Sequence, residues 1–307
     1  IPAMEKEGYT KETSVGVTAA SSTIGIIIPP SIPMVVYSSV AGASIGALFL
    51  GGVVPGVLIG CGQMLVIFLG NKKYHYPRQE AMSMRDFAKL AVKCLPPVLT
   101  PAIIIGGVIA GICTATESAA VACIYASVLG IFVFKSLTPK DIKPLLYDTL
   151  RTSATSLLAL ATANALGQLL SYYNISTMVQ GMFVDYFPYK WQFLLAVIAF
   201  YLFLGTFMDA IPAMILFVPV LMPVASAFGI SAVQLGLIIV ITLAVGQVTP
   251  PYGLCLLIAG KISGMSVQRS FVAVVPYIMV SVAVVILIAF FPEIAFALPK
   301  LMRPDWF

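Results

Sequence analysis

The chain has 307 residues, 60% of them hydrophobic and only 9% charged, with a mean hydropathy of +1.03. A soluble domain carries about 25% charged and about 45–50% apolar residues, so a soluble globular enzyme, a disordered chain and a disulfide-stapled secreted domain are excluded. The net charge of +5 sits in a few loops and forms no basic face, which excludes a nucleic-acid binder.

What remains is an all-α, polytopic membrane protein, in which each span needs about 20 apolar residues. The cysteines Cys61, Cys94, Cys113, Cys123 and Cys255 lie in or beside apolar runs, form no CxxC pair and are odd in number. They read as small buried apolar residues.

Apolar runs lie at 14–41, 45–69, 97–113, 118–134, 152–173, 189–223, 232–260 and 270–298. Ten of the 17 Lys and Arg residues fall in two windows. The first holds Lys72, Lys73, Arg78, Arg85, Lys89 and Lys93, and the second Lys135, Lys140, Lys143 and Arg151. The positive-inside rule places both windows in the cytoplasm. Runs 97–113 and 118–134 between them are then two short antiparallel helices, meeting at Thr114-Ala115-Thr116-Glu117 near the outer side.

From these anchors, 14–41 runs outward, 45–69 inward and 152–173 outward. The loop with Lys261 and Arg269 fits the cytoplasm, so 232–260 runs inward and 270–298 outward. Run 189–223 must therefore enter and leave on the outer side. It is expected to be a re-entrant hairpin turning near Gly205-Thr206-Phe207-Met208-Asp209. Residues 83–93 place Met84, Phe87, Ala88 and Ala91 on one face, and 174–187 has a weaker pattern; both fit interfacial helices.

The chain also carries an internal repeat. An offset of 221 residues sets Pro2 against Pro223, Gly8 against Gly229, Thr10 against Ser231 and Gly25 against Gly246. It sets Pro29-Pro30 against Pro250-Pro251, and Val53-Val54-Pro55 against Val274-Val275-Pro276. Matched Gly and Pro at fixed spacing are informative where matched Leu or Val are not. Because 14–41 and 232–260 run in opposite directions, the repeats are expected to be inverted, the architecture of many secondary transporters.

Four regions follow. Residues 1–69 end a first repeat, with broken helix 14–41 and span 45–69. Residues 70–96 form a cytoplasmic loop with an amphipathic helix, 97–188 hold scaffold spans and surface helices, and 189–307 form the second repeat. Ile1 aligns with position 222, so a further portion of roughly 100–200 residues is expected ahead of Ile1.

Two apolar runs carry adjacent prolines: Gly25-Ile26-Ile27-Ile28-Pro29-Pro30-Ser31-Ile32-Pro33 and Gly246-Gln247-Val248-Thr249-Pro250-Pro251-Tyr252-Gly253. A proline pair removes two N–H donors and pushes the preceding residue out of the helical region. Unwound backbone is tolerated in hydrocarbon only where protein or a cavity surrounds it. Its free carbonyls are hard oxygen ligands for a small cation, and the next half-helix offers a positive dipole end to an anion.

Ser21, Ser22 and Thr23 form a hydroxyl cluster that can equally bond back to their own helix. Asp209, at the hairpin tip, is an intramembrane carboxylate and so a functional candidate. Glu117 follows Thr114 and Thr116 and fits a helix cap equally well. Gly52, Gly56 and Gly60, and the pair Gly107 and Gly111, have GxxxG spacing and read as helix-packing faces. His75 has no partner for metal or acid–base chemistry, and no catalytic motif is present. The chain is not expected to be an enzyme.

The runs 1–9, 25–56, TATESAA (114–120), 205–225 and GQVTPPYGL (246–254) resemble the large membrane (permease, DctM-like) subunit of tripartite ATP-independent periplasmic (TRAP) transporters. The resemblance covers essentially the whole chain. It implies an elevator-type fold driven by sodium ions. It also implies a periplasmic substrate-binding protein, a small four-helix membrane subunit, a carboxylate substrate such as a four-carbon dicarboxylate or sialic acid, and residence in the bacterial inner membrane.

By the same resemblance, Gly25, Ile28 and Pro30 match the carbonyl donors of one sodium site. By the repeat offset, Gly246, Thr249 and Pro251 form a second, and Asp209 matches the family's hairpin acid. Ser22, Thr23, Ser31, Thr206 and Tyr252 are further candidates for substrate contact. Two other readings remain open: a stand-alone sodium/dicarboxylate symporter of related fold and an anion channel.

Overall fold

The computed structural model describes residues 1–74, 76–77, 83–175, 177–178, 181, 187 and 189–304. Every regular element among the described residues is helical. Two compact units are present, one of Ile1–Pro77 and Thr162–Phe307, the other of Arg78–Ala161.

The first unit opens with α1 (Pro2–Lys6), α2 (Lys11–Ile27), α3 (Ile32–Ala41) and α4 (Ile45–Tyr74). After α7 (Pro139–Tyr172), whose residues divide between the two units at Thr162, come α8 (Lys190–Gly205) and α9 (Ala210–Ala227). The chain ends with α10 (Ala232–Gly246), α11 (Leu254–Ser263), α12 (Val267–Phe290) and α13 (Pro292–Met302).

Local chemistry repeats between the two ends of this unit. α2 follows the left-handed Gly8, and the Thr10 hydroxyl caps it by accepting from the Thr13 N–H at 3.2 Å. α10 follows the left-handed Gly229, and the Ser231 hydroxyl accepts from the Gln234 N–H at 3.2 Å. Such caps satisfy amide donors that the first helical turn leaves open.

The core centres on α10, whose residues from Gln234 to Gly246 are all buried, as an all-round apolar helix requires. α8 packs on α10, α12 on α2, α13 on α4, and α9 on α3. One core cluster joins Val15, Ala19 and Ala20 of α2 to Val248, to Leu256 and Ala259 of α11, and to Val274 and Tyr277 of α12. Tyr37 of α3 lies over Gly236 of α10 and donates to the Ala232 carbonyl at 2.7 Å. Lys11, at the start of α2, donates to the Ser263 carbonyl, at the end of α11, at 3.1 Å. The start of α2 therefore lies at the end of α11, and α3 packs on α10.

The second unit is a helical hairpin of α5 (Met84–Ile109) and α6 (Ala115–Val128), the latter continued by a π-helical turn at Leu129–Val133, with the first part of α7. Thr114 and Glu117 form a capping box: the Glu117 N–H donates to the Thr114 hydroxyl at 3.2 Å, and the Thr114 N–H to the Glu117 carboxylate at 2.8 Å. Glu117 is a helix cap.

Among the described residues, five helices are long and apolar enough to cross a membrane: Ile45–Asn71, Met84–Ile109, Ala115–Val133, Ala210–Ala227 and Val267–Phe290. The pair Lys11–Ile27 and Ile32–Ala41, bent by 41°, makes a sixth. The chain is a polytopic helical membrane protein.

Several expected boundaries move. The amphipathic stretch 83–93 and the run 97–113 are one helix, α5, which passes through Pro96, Pro97 and Pro101 unbroken. A contact from the neighbouring helix stands beside them: the Tyr125 hydroxyl donates to the Pro96 carbonyl at 3.0 Å. Gly111 is no packing residue: it is left-handed, at φ +70°, in the turn after α5.

Run 152–173 lies in α7, which starts at Pro139 and falls outside the five apolar helices, because polar residues such as Thr152, Ser156, Asn164 and Gln168 interrupt it. Run 270–298 divides at Pro292 into α12 and α13. His75 and most of 174–187 lie outside the described residues.

Candidate functional site

The first break separates α2 from α3. Ile28 is extended at φ −77°, ψ 129°, and Ser31 at φ −120°, ψ 118°. The Ser31 hydroxyl closes the gap from both sides. It donates to the Ile26 carbonyl and accepts from the Met34 N–H at 3.4 Å, so Ser31 is the N-cap of α3.

Part of the break beds on the glycine face of α4. A Cβ on Gly52 would lie 2.7 Å from the Ile27 carbonyl oxygen, and one on Gly56 2.4 Å from the Ile28 side chain. Gly60 has room, with its nearest neighbour, the Ile24 side chain, at 3.7 Å. Gly25 and Pro30 are exposed, and a Cβ on Gly25 would meet nothing within 4 Å.

Ser22 and Thr23 spend their hydroxyl protons locally, on the Ala19 and Ala20 carbonyls at 2.7 Å each. Ser22 is exposed and Thr23 is buried. The Gln63 amide of α4 donates to the same Ala20 carbonyl at 3.3 Å.

The second break lies between α10 and α11 and is built differently, because the tip of the α8–α9 hairpin closes onto it. A Cβ on Gly246 would lie 2.5 Å from the Cα of Gly205 and 3.0 Å from its carbonyl oxygen. A Cβ on Gly205 would lie 2.9 Å from the Cα of Gly246. Only two glycines permit this backbone approach. The Thr206 carbonyl accepts from the Tyr252 N–H at 2.9 Å and the Gly253 N–H at 3.4 Å. Unwound backbone of one element thus satisfies unwound backbone of the other, as a low-dielectric setting demands.

Within the break, the Thr249 N–H donates to the Gly246 carbonyl at 2.9 Å and the Thr249 hydroxyl to the Val245 carbonyl at 3.0 Å. The Gln247 carbonyl accepts from the Cys255 N–H at 3.1 Å. Both proline pairs, Pro29-Pro30 and Pro250-Pro251, are cis.

Asp209 occupies the N-cap position of α9, yet its side chain makes no cap bond. Its Oδ1 accepts from the Gln247 amide at 3.1 Å, a second link between hairpin tip and break. Asp209 is exposed, as is the Tyr252 side chain. Among the described residues no group of three or more His, Cys, Asp or Glu comes together. The donors here are a carboxylate, two hydroxyls and main-chain carbonyls, a hard oxygen set that suits a small cation and not a soft transition metal.

Six sequence candidates therefore converge: Thr206, Asp209, Gly246, Thr249, Pro251 and Tyr252. Gly25, Ile28, Pro30 and Ser31 sit together at the other break, while Ser22 and Thr23 lie on α2 before it. Two residues emerge only in three dimensions, Gly205 and Gln247. The signal for Gln247 is its place as the one amide in the run Gly246–Gly253. For Gly205 it is a glycine at the end of an apolar arm beside an acid-bearing turn.

The profile of the tripartite ATP-independent periplasmic transporter, DctM component, matches residues 1–294. The chain belongs to this family. The DctM family consists of transporter permeases, so the protein is not an enzyme.

It is 31% identical over 300 residues to the C4-dicarboxylate TRAP transporter large permease protein DctM of Pseudomonas aeruginosa, covering 98% of this chain and 70% of that one. It is 34% identical over 301 residues to the sialic acid TRAP transporter large permease protein SiaM of Vibrio cholerae, covering 98% and 70%. Against the sialic acid TRAP transporter permease protein SiaT of Haemophilus influenzae it is 33% identical over 304 residues, spanning 49% of that protein.

Proposed function

We propose that this chain is the membrane permease subunit of a sodium-gradient-driven, binding-protein-dependent importer of organic acids in the bacterial inner membrane. Its substrates are carboxylates of the four-carbon dicarboxylate or sialic acid kind, the two named for its relatives. It works with a periplasmic substrate-binding protein and a small four-helix membrane subunit. Sodium ions are co-transported cargo. An elevator-type movement of an inverted-repeat body carries the site across the membrane.

The observation that carries this reading is the closure of the hairpin tip on the second break through Gly205 and Gly246, with Asp209 beside it. Hairpin tips meeting broken helices are where secondary transporters bind substrate and coupling ions. Asp209, Gly246, Thr249 and Pro251 would surround one cation, and Gly25, Ile28 and Pro30 another. Ser22, Thr23, Ser31, Thr206 and Tyr252 lie on the elements that present the substrate. The reciprocal packing of α2 on α11 and α3 on α10 supports an inverted repeat. Two cations entering down a 100 mV potential contribute about 4.6 kcal/mol, enough to concentrate an anion strongly.

Proteoliposomes holding the whole permease and its small subunit test this. Labelled organic acids are offered with and without the binding protein, and with and without an inward sodium gradient. Uptake requiring both is expected. Uptake with sodium alone would make the protein a stand-alone symporter, and downhill flux without sodium would make it a channel.

A further inference from the structure

A cavity of about 640 Å³ in the first unit lies away from both breaks, between the ends of α2, α4 and α12. Its lining changes character along its length. At the mouth stand Thr10, Glu12, Thr13, Gln268 and Arg269. Further along the helices the walls are Val66 of α4 and Val272, Ala273, Pro276 and Tyr277 of α12, of which Val272 and Pro276 are themselves exposed.

The mouth is level with the terminal turns of three membrane helices: Glu12 is the second residue of α2, Arg269 the third of α12, and Gly70 lies at the end of the span Ile45–Asn71. From Arg269 to Pro276 is seven residues of helix, about 10 Å. The polar lining residues lie at the helix ends and the apolar ones further along the apolar helices.

Glu12 and Arg269 are both exposed at this mouth. Among the described residues, neither takes part in an ion pair or a side-chain hydrogen bond. The site therefore offers one cation and one anion above an apolar slot.

We infer that this cavity binds a zwitterionic aminophospholipid, its phosphate on Arg269, its ammonium on Glu12 and an acyl chain along Val66, Val272 and Pro276. A soluble organic anion would leave the apolar walls unmatched and lose hydration against them. An anionic lipid such as phosphatidylglycerol would set its charge against Glu12. A choline headgroup has no N–H to donate to the Glu12 carboxylate, whereas ethanolamine has three. Basic pockets between membrane helices commonly take lipid headgroups; the carboxylate beside this one selects the zwitterion.

The test uses the full-length permease with its small subunit, delipidated in detergent and analysed by native mass spectrometry. Phosphatidylethanolamine, phosphatidylglycerol and phosphatidylcholine of one acyl composition are added in turn. Phosphatidylethanolamine should be retained about fivefold over the other two. Glu12→Gln should lower its retention while phosphatidylglycerol holds or rises, a crossing that an unfolded protein cannot give. Arg269→Gln should lower all three, and Val272→Trp, which fills the slot, should abolish retention at this site.

Equal retention of the three lipids, or indifference to all three substitutions, overturns the assignment. So does release of bound lipid by inorganic phosphate, which would make the cavity a soluble-anion site. Retention by the permease alone that disappears when the small subunit is present would assign the cavity to protein. None of these outcomes depends on transport activity.

Discussion

The two proline-pair breaks carry the same sequence signal and are held in different ways. The first, from Ile28 to Ser31, beds on the glycine face of α4 and leaves Gly25 in open space. The second, from Gln247 to Gly253, is closed by another unwound segment, with Gly205 and Gly246 backbone to backbone. A third pair, Pro96-Pro97, produces no break at all: the helix continues through it, with the Tyr125 hydroxyl of α6 bonded to the Pro96 carbonyl. A proline pair thus weakens a helix locally, and the surrounding elements decide whether it opens and what the opened backbone faces.

The sharpest way to break this comparison is at its glycines. Gly246→Ala puts a Cβ against the Gly205 backbone, an overpacking of the kind that costs about 1–3 kcal/mol. It should reduce sodium-dependent uptake to background. Gly25→Ala, at the repeat-equivalent position, meets no atom within 4 Å and should leave uptake near normal. Equal losses at both positions would mean that the two breaks are equivalent in the working protein. Uptake by each variant in proteoliposomes, with its thermal stability as control, decides.

Next in size is the carboxylate. Asp209→Ala removes both the charge and the acceptor for Gln247, and should abolish uptake with the folded yield retained. Asp209→Asn keeps an acceptor for the Gln247 amide, so it should preserve stability and still fail in transport. Near-normal uptake by either variant at physiological sodium would remove Asp209 from the coupling site.

Smaller effects are expected from the prolines. Pro30→Ala and Pro251→Ala should each shift the sodium dependence of uptake to higher concentration without abolishing it, because the carbonyl stays while the unwound geometry relaxes. A sodium curve unchanged in both would reduce the breaks to kinks.

The smallest effects belong to α4. Gly52→Ala drives a Cβ to 2.7 Å from the Ile27 carbonyl and should lower the melting temperature. Gly60→Ala has 3.7 Å of room and should be neutral or stabilising, since Ala gains about 1 kcal/mol over Gly in a helix interior. The difference between the two melting temperatures measures how tightly α4 holds the first break.

Much of this protein is legible one residue at a time. Composition alone marks it as a membrane protein, since 9% charge cannot cover a soluble surface. The hairpin turn at 205–209 follows from an acid inside an apolar run, and the Thr114–Glu117 box from capping chemistry within four residues. The turn glycines Gly8 and Gly229, each two residues before a hydroxyl cap, follow from local stereochemistry. These features depend on neighbours in the chain, so the sequence contains their causes.

Packing across the chain decided the rest. That the Tyr125 hydroxyl reaches the Pro96 carbonyl, 29 residues away, depends on the pairing of α5 with α6. That Asp209 meets Gln247, 38 residues away, depends on a fold that brings a hairpin tip to a broken helix. The interior of a membrane protein supplies no water to satisfy an opened backbone. Its freed carbonyls and amides must find protein partners, and which partner arrives is set by how whole helices pack.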